Sequence, residues 1–519
     1  MLGIINMMAF VWAKELKIRF LALVITIKNF ILILYIPQMW HGKMVPNFNF
    51  KYLTLFFGWV EMVCFSGVMY GLNSLFETLA KENLFVQLCN SSSGQINESS
   101  NETLFCSTQN TYFSYIMITM MTSQCVLALP IGYLFDKFGS RISKLFVSIV
   151  FLVACILFAI SFKVTSYFVF PAAFLFGISS QTLLFCNLAL GKIFPKHQNL
   201  IVSVFSGSFD TSSVMLTFFT LTFLLGVGLM TSFITLGIFG FCIMLINGIF
   251  LMAKANVQNN ANQRLNNGER AENLLIQEET KDLEDGVIED KELDLMNKLE
   301  ALTNRMYPDL RSIVFSKYYL FQLGSFTILY FRFTFFLIQL NLQLHYNFPQ
   351  QRGLVNNLLS RTNYFFLCGI LISPIAGIIV DLSKKSFLKK LPNSINEVLL
   401  YKRTMKSFVT SQLICCVCNL IVSITVIIPN VALVHVTYLC VTITRAFLFS
   451  LNSAYLLQAF PGRFFGQIMG IIVLVAGLMS FIQYAILFND LYRLNIINFI
   501  LIGFSCLNFI HPLYLILIK

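Results

Sequence analysis

Residues 130–141 read PIGYLFDKFGSR, and they close an apolar run with Asp136, Lys137 and Arg141 packed into six positions. The chain around them is 57% hydrophobic and 12% charged, about half the charged share of an ordinary soluble protein. Outward from this corner, runs of about 20 predominantly apolar residues, the length that crosses hydrocarbon, recur over almost all 519 positions. These runs are apolar on every face, which excludes the alternating strands of a membrane barrel. The composition therefore specifies an all-α polytopic membrane protein.

The apolar segments, called spans 1 to 12 below, are 53–79, 112–135, 143–162, 165–190, 199–226, 229–252, 316–343, 360–381, 407–428, 431–458, 465–488 and 493–517. A polar stretch, 253–312, separates the sixth from the seventh and holds thirteen acidic and eight basic residues, including EETKDLEDGVIEDKELD. It reads as a solvated linker. The expected organisation is an N-terminal extension over 1–52, a six-helix bundle over 53–252, the linker over 253–312 and a second six-helix bundle over 313–519. Within the extension, Ile18 to Pro37 is apolar but interrupted by Arg19, Lys28 and Asn29, and reads as an interfacial helix or an extension without function rather than a thirteenth span.

The formal net charge of +12 has a topological reading that displaces a nucleic-acid one. Connections after even-numbered spans carry Lys137, Arg141, Lys144, Lys192, Lys196, Lys384, Lys385, Lys389, Lys390, Lys402, Arg403, Lys406 and Arg463. Those after odd-numbered spans carry few basic residues, so the first set is expected in the cytoplasm, together with both ends of the twelve-helix body. The loop 80–111 holds every N-x-Ser/Thr site, at Asn90, Asn97 and Asn101, and glycosylation there requires an outer surface. Both tests agree, and with no evident retention signal they favour the plasma membrane. Cys89 and Cys106 share that oxidising loop as a disulfide candidate, whereas the other eleven cysteines fall in apolar runs.

The opening corner recurs. In PIAGIIVD (374–381), Gly377, Ile379 and Asp381 repeat the spacing of Gly132, Leu134 and Asp136, six helices later. A second echo pairs LGKIFP, ending at Pro195 after span 4, with LQAFP, ending at Pro461 after span 10. Two echoes in register with the topology indicate a parallel repeat of two six-helix halves.

GYLFDKFGSR (132–141) resembles the loop 2–3 signature of the major facilitator superfamily, Gly-x-Leu-x-Asp-Arg-x-Gly-x-Arg, with Lys137 in the Arg place. WVEMVCFSGVMYGLNSL (59–75), FSGSFDTSS (205–213), TRAFLFSLNSAYLLQAFP (444–461) and FIHPLYL (509–515) resemble solute carrier family 43, its nucleobase branch more than its large neutral amino acid branch. One departure is Arg332, which stands where the nucleobase branch is expected to carry an aromatic ring. The resemblance implies the major facilitator fold, twelve transmembrane helices in two bundles, and a monomeric facilitative uniporter working by alternating access. It implies purine nucleobases as substrates, with large neutral amino acids as the alternative; a non-transporting sensor or scaffold that keeps the fold is the reading from a different class. It also implies that Asp136 faces the start of span 11, Pro461 to Gly466, with Arg463 nearby. Gly132, Asp136, Lys137, Gly139, Arg141, Asp381 and Arg463 would then form a conformational latch.

Ionisable residues inside spans are costly and face a cavity or one another. Glu61, Asp210, Arg332 and Arg445 are the candidates for a substrate path, with Asn187, Asn452 and Gln483 as softer ones. A buried Glu61 or Asp210 would also serve proton coupling, and structural ion pairing is the plainer role for all four. The five histidines, at 41, 197, 345, 435 and 511, are scattered, so no metal site, cofactor or nucleophile–base pair is expected. No phosphate-binding loop is present either, and the chain reads as a non-enzyme.

Overall fold

The computed structural model describes residues 50–89, 107–194, 197–251, 298–348, 351–389, 397–487 and 491–518, and all their regular structure is helical. The N-terminal extension up to residue 49, Asn90, Asn97, Asn101, Cys106 and the acidic part of the linker lie outside the described residues. Cys89 is disulfide-bonded. Helix occupies each of the twelve apolar segments. Among the described residues nine helices are long and apolar enough to cross a membrane, or ten if Gly353–Leu367 and Gly369–Phe387, bent by 42°, count as one span.

The two numbers differ from twelve for local reasons. Span 1 changes its winding three times, from α-helix (Phe50–Glu61) through a π turn (Met62–Ser66) and a 3₁₀ stretch (Val68–Leu75) back to α-helix (Phe76–Lys81). Within the π turn the Ser66 hydroxyl donates to the Met62 carbonyl, a back-bond that competes with the regular ladder. The end of span 2 and nearly all of span 3 form one run, Ala128–Ile160, interrupted at Gly139. Its φ of +76° is a left-handed conformation that glycine adopts without a Cβ penalty. This is the turn announced by GYLFDKFGSR.

Aromatic rings fill the halves. Phe65, Phe151, Phe158, Phe176 and Phe233 belong to a cluster confined to spans 1 to 6, and Phe158 stacks on Phe233 at 4.1 Å. A second cluster, around Phe333, Phe336 and Tyr438, belongs to the other half. The largest joins both halves at the Asp136 end, where Ala128, Ile131 and Phe135 meet Phe465, Ile468 and Ile472. On the outside stand large exposed apolar residues such as Ile149, Phe239, Leu371 and Phe499, a surface suited to lipid.

Each half also buries a polar knot on matching spans. In the first, Lys144 lies 2.7 Å from Glu61, and both are fully buried. Asn187 donates to one Glu61 oxygen at 3.1 Å and Asn247 to the other at 2.9 Å, while Lys144 also donates to Asn187 at 2.8 Å. Spans 1, 3, 4 and 6 are tied by this network. The charge pattern counts Lys144 with the connection after span 2, although it falls at the start of span 3, and the structure buries it there against the Glu61 carboxylate, which needs a counter-charge. In the second half, Gln412 donates to Gln322 at 3.1 Å and Gln322 to Asn452 at 2.9 Å, joining spans 7, 9 and 10 with neutral amides.

This contrast predicts a mutational asymmetry. Glu61→Gln or Lys144→Gln alone leaves an uncompensated buried charge and should destabilise the protein by about 3–5 kcal/mol. The double substitution copies the amide chemistry of the other half and should recover most of that loss. Thermal melting of the detergent-solubilised protein reads the difference; a double variant no more stable than the singles would contradict the account.

Candidate functional site

The corner that opens the sequence is a contact between halves. Both Asp136 oxygens accept from the backbone at the start of span 11, from Gly466 N–H and Gln467 N–H at 2.8 Å each, and the Gln467 side chain donates at 3.2 Å. A helix N-terminus leaves its first N–H groups unpaired and carries partial positive charge, so a carboxylate is the fitting cap. The approach is that close because glycine faces glycine. A Cβ on Gly132 would lie 2.0 Å from the Gly466 carbonyl oxygen, and one on Gly466 2.4 Å from that of Gly132. Lys192, at the end of span 4, acts electrostatically on Asp136 and lies against Gly462.

The second half repeats the contact in reverse. Asp381 accepts from Asn199, at the start of span 5, at 2.6 Å, and Gln458 donates to Asn199 at 2.6 Å. Gln458 stands three residues before Pro461, as Lys192 stands three before Pro195. Ser373 of span 8 donates its hydroxyl to the Ser203 carbonyl of span 5. Spans 2 with 11 and 5 with 8 thus hold the two halves together at one end. Lys137 and Arg141 are exposed beside this contact, Lys137 over the rings of Tyr133 and Phe138 and Arg141 reaching the Ile249 carbonyl at 3.5 Å. Arg463 does not reach Asp136; it donates to the carbonyls of Pro308 at 2.7 Å and Tyr307 at 3.4 Å, where the end of the linker enters span 7.

Deeper in the spans, Arg445 of span 10 donates to Asp210 of span 5 at 2.8 Å, and both side chains are buried. Asp210 stands about 16 Å along span 5, near the middle of a bilayer at 1.5 Å per residue. The pair crosses from one half to the other. Aromatic rings surround the guanidinium, with its carbon 5.6 Å from the Tyr70 centroid, 5.3 Å from Phe333 and 5.2 Å from Phe366. A guanidinium over ring faces is favoured electrostatically, more so where water is excluded. Arg445 Nε has no hydrogen-bond partner among the described residues. Beside the cage, the Tyr70 hydroxyl donates to Gln124 at 3.2 Å and Gln124 donates to Gln181 at 3.1 Å, while Cys125 lies 3.8 Å from the Tyr330 hydroxyl of the other half.

Of the residues selected from sequence, the structure therefore brings Asp210 and Arg445 together between the halves. Glu61 and Asn187 lie inside the first half, and Asn452 lies inside the second, donating to the Met469 sulfur at 3.1 Å. Arg332 is buried between spans 7 and 9, donating to the Ser423 hydroxyl at 3.0 Å and the Val422 carbonyl at 3.3 Å. The Gln483 side chain lies outside the described residues. Tyr70, Gln124, Gln181, Phe333 and Phe366 were not singled out from sequence, since aromatic and amide residues are common in these spans. Their one signal was position, Tyr70 lying in a stretch already marked by resemblance.

The chain is 25% identical over 497 residues to the equilibrative nucleobase transporter 1 of Bos taurus, covering 91% of this chain and 96% of the relative. To the large neutral amino acids transporter small subunit 3 of Mus musculus it is 27% identical over 160 residues, 30% of this chain and 28% of that one. Among solved structures, a bacterial homologue of the iron transporter ferroportin in its outward-facing state superposes with a TM-score of 0.54 at 10% identity, covering 90% of this chain and 99% of its own. That likeness is one of fold. Residues 54–483 match the Major Facilitator Superfamily, and the chain belongs to that family of membrane transporters.

Proposed function

We propose that the chain is a facilitative transporter of purine nucleobases, working by alternating access around the Asp210–Arg445 pair. The observation that carries this reading is the pair itself, an acid and a base from opposite halves inside a set of three aromatic rings. A purine is planar, so its faces suit the rings, and its N–H edge suits a carboxylate acceptor. Similarity to the bovine nucleobase transporter over most of both chains supports the same substrate class. Because the pair bridges the halves, the base competes for Asp210 as it enters, and the rocking of one half on the other follows.

The Asp136 and Asp381 contacts act in this reading as the latch of the cytoplasmic side, with the charged linker on that side and the sugar-bearing loop of Asn90, Asn97 and Asn101 outside. The division into bundles over 53–252 and 313–519 follows the repeat. A second reading, neutral amino acid transport, is favoured by the unpartnered Nε of Arg445, since a guanidinium binds a carboxylate in two-pronged fashion.

A radiotracer panel of adenine, guanine, hypoxanthine and leucine in cells expressing the chain separates the two. Purine uptake without leucine uptake is expected, and Asp210→Asn should cut it at least tenfold per molecule at the surface. Leucine uptake with no purine uptake would overturn the nucleobase reading.

The latch has its own measurement. Asp136→Asn keeps the shape and loses the charge that caps span 11, a contact worth about 1 kcal/mol, up to roughly 2 when partly buried. The variant should reach the surface and transport about fivefold more slowly. Unchanged initial rates would remove the latch from the mechanism.

A further inference from the structure

Polar groups buried away from water nearly always find hydrogen-bond partners, and an unspent one in a binding region marks where something else belongs. Gln181 of span 4 is fully buried. Its Oε1 accepts from Gln124, whose own Oε1 accepts from the Tyr70 hydroxyl. The direction of this chain leaves the Gln181 amide nitrogen as its terminal donor, and that nitrogen has no partner among the described residues. The other end of the chain is the ring of Tyr70, which lies under the Arg445 guanidinium of the opposite half. A second unspent group is the hydroxyl of Ser206, one helical turn before Asp210 on span 5 and also buried. Among the described residues, Gln181 Nε2, Ser206 Oγ and Arg445 Nε are thus buried donors without acceptors, the first joined to the inter-half ion pair through Gln124 and Tyr70.

We propose that Gln181 is a specificity-determining residue whose amide N–H donates to an unprotonated ring nitrogen of the bound purine. This rests on the nucleobase reading and deepens it. The base would lie with its N–H edge toward Asp210 and a lone-pair nitrogen toward Gln181, so donor and acceptor edges are both read. Gln124 and Tyr70 hold the amide in place, and their own polar atoms are spent in doing so. A site built around a committed donor discriminates against a ligand lacking the acceptor, because the donor is then left buried and unpaired. An aliphatic amino acid side chain offers no such acceptor.

The test pairs a protein change with a ligand change in intact cells expressing the full chain. Inhibition of labelled adenine uptake is measured with unlabelled adenine and with 1-, 3- and 7-deazaadenine, in each of which one ring nitrogen becomes C–H. In the wild type one analogue should bind about tenfold more weakly than adenine. In Gln181→Leu that gap should shrink to less than twofold, with adenine falling to the level of the analogue. Gln181→Met, which keeps the length and drops both polar atoms, replaces the leucine variant if the latter fails to reach the surface. A purely structural role for Gln181 would weaken adenine and every analogue alike and leave the ratios intact, which would overturn the proposal. So would a wild type indifferent to all three ring nitrogens. Failure of the underlying reading looks different: the wild type would take up leucine and no purine, ending both claims together.

Discussion

The whole arrangement depends on how closely two helices from different halves can approach. Spans 2 and 11 meet with a glycine from each at the crossing, near enough that a methyl group on either would collide with backbone. That proximity is what lets a side chain as short as aspartate reach the first N–H groups of the facing helix. The hydrogen bonds in turn satisfy a helix end that would otherwise be buried with open donors. Apolar packing around Phe135 and Phe465 supplies the cohesion, while the carboxylate determines which depth of the two helices aligns. The reversed contact, Asp381 with Asn199, gives the same constraint to spans 8 and 5. With both in place the halves are joined at one end by two short polar seams, and any opening there breaks both.

The two halves solve one packing problem with different chemistry. Where the first uses Glu61, Lys144 and Lys192, the second places Gln322, Gln412 and Gln458 on corresponding spans. Amides hydrogen-bond as both donor and acceptor, so they bridge helices without a counter-charge. A carboxylate and an ammonium must come as a pair. The repeat therefore conserves the need for a polar bridge at these depths and leaves its charge free to differ.

This explains what was legible in the sequence. The spans, the repeat and the turn at Asp136 rest on hydrophobic runs, exact spacing and glycine, all local properties of the chain. Asp210 and Arg445 stood out because charges are rare inside spans, yet their mutual contact did not, since nothing in one dimension says which acid meets which base. Lys144 was misplaced for a related reason. At the mouth of a span, three residues past Arg141, a lysine looks like one more member of that charged cluster until Glu61 is seen beneath it. Gln181 was invisible, because its significance lies in one amide nitrogen that its neighbours do not use.

The Glu61–Lys144 pair has a consequence for the response to membrane voltage. Moving one elementary charge across the full field is worth roughly 2.3 kcal/mol per 100 mV. A lone carboxylate carried by a rocking half would make the cycle sensitive to potential in proportion to the field it crosses. Glu61 and Lys144 lie 2.7 Å apart within one half and travel together, so their charges cancel through any rigid-body rotation. The knot that holds spans 1, 3, 4 and 6 thereby carries no net charge, and under the proposed rocking the first half would tilt without the potential acting on it through these residues.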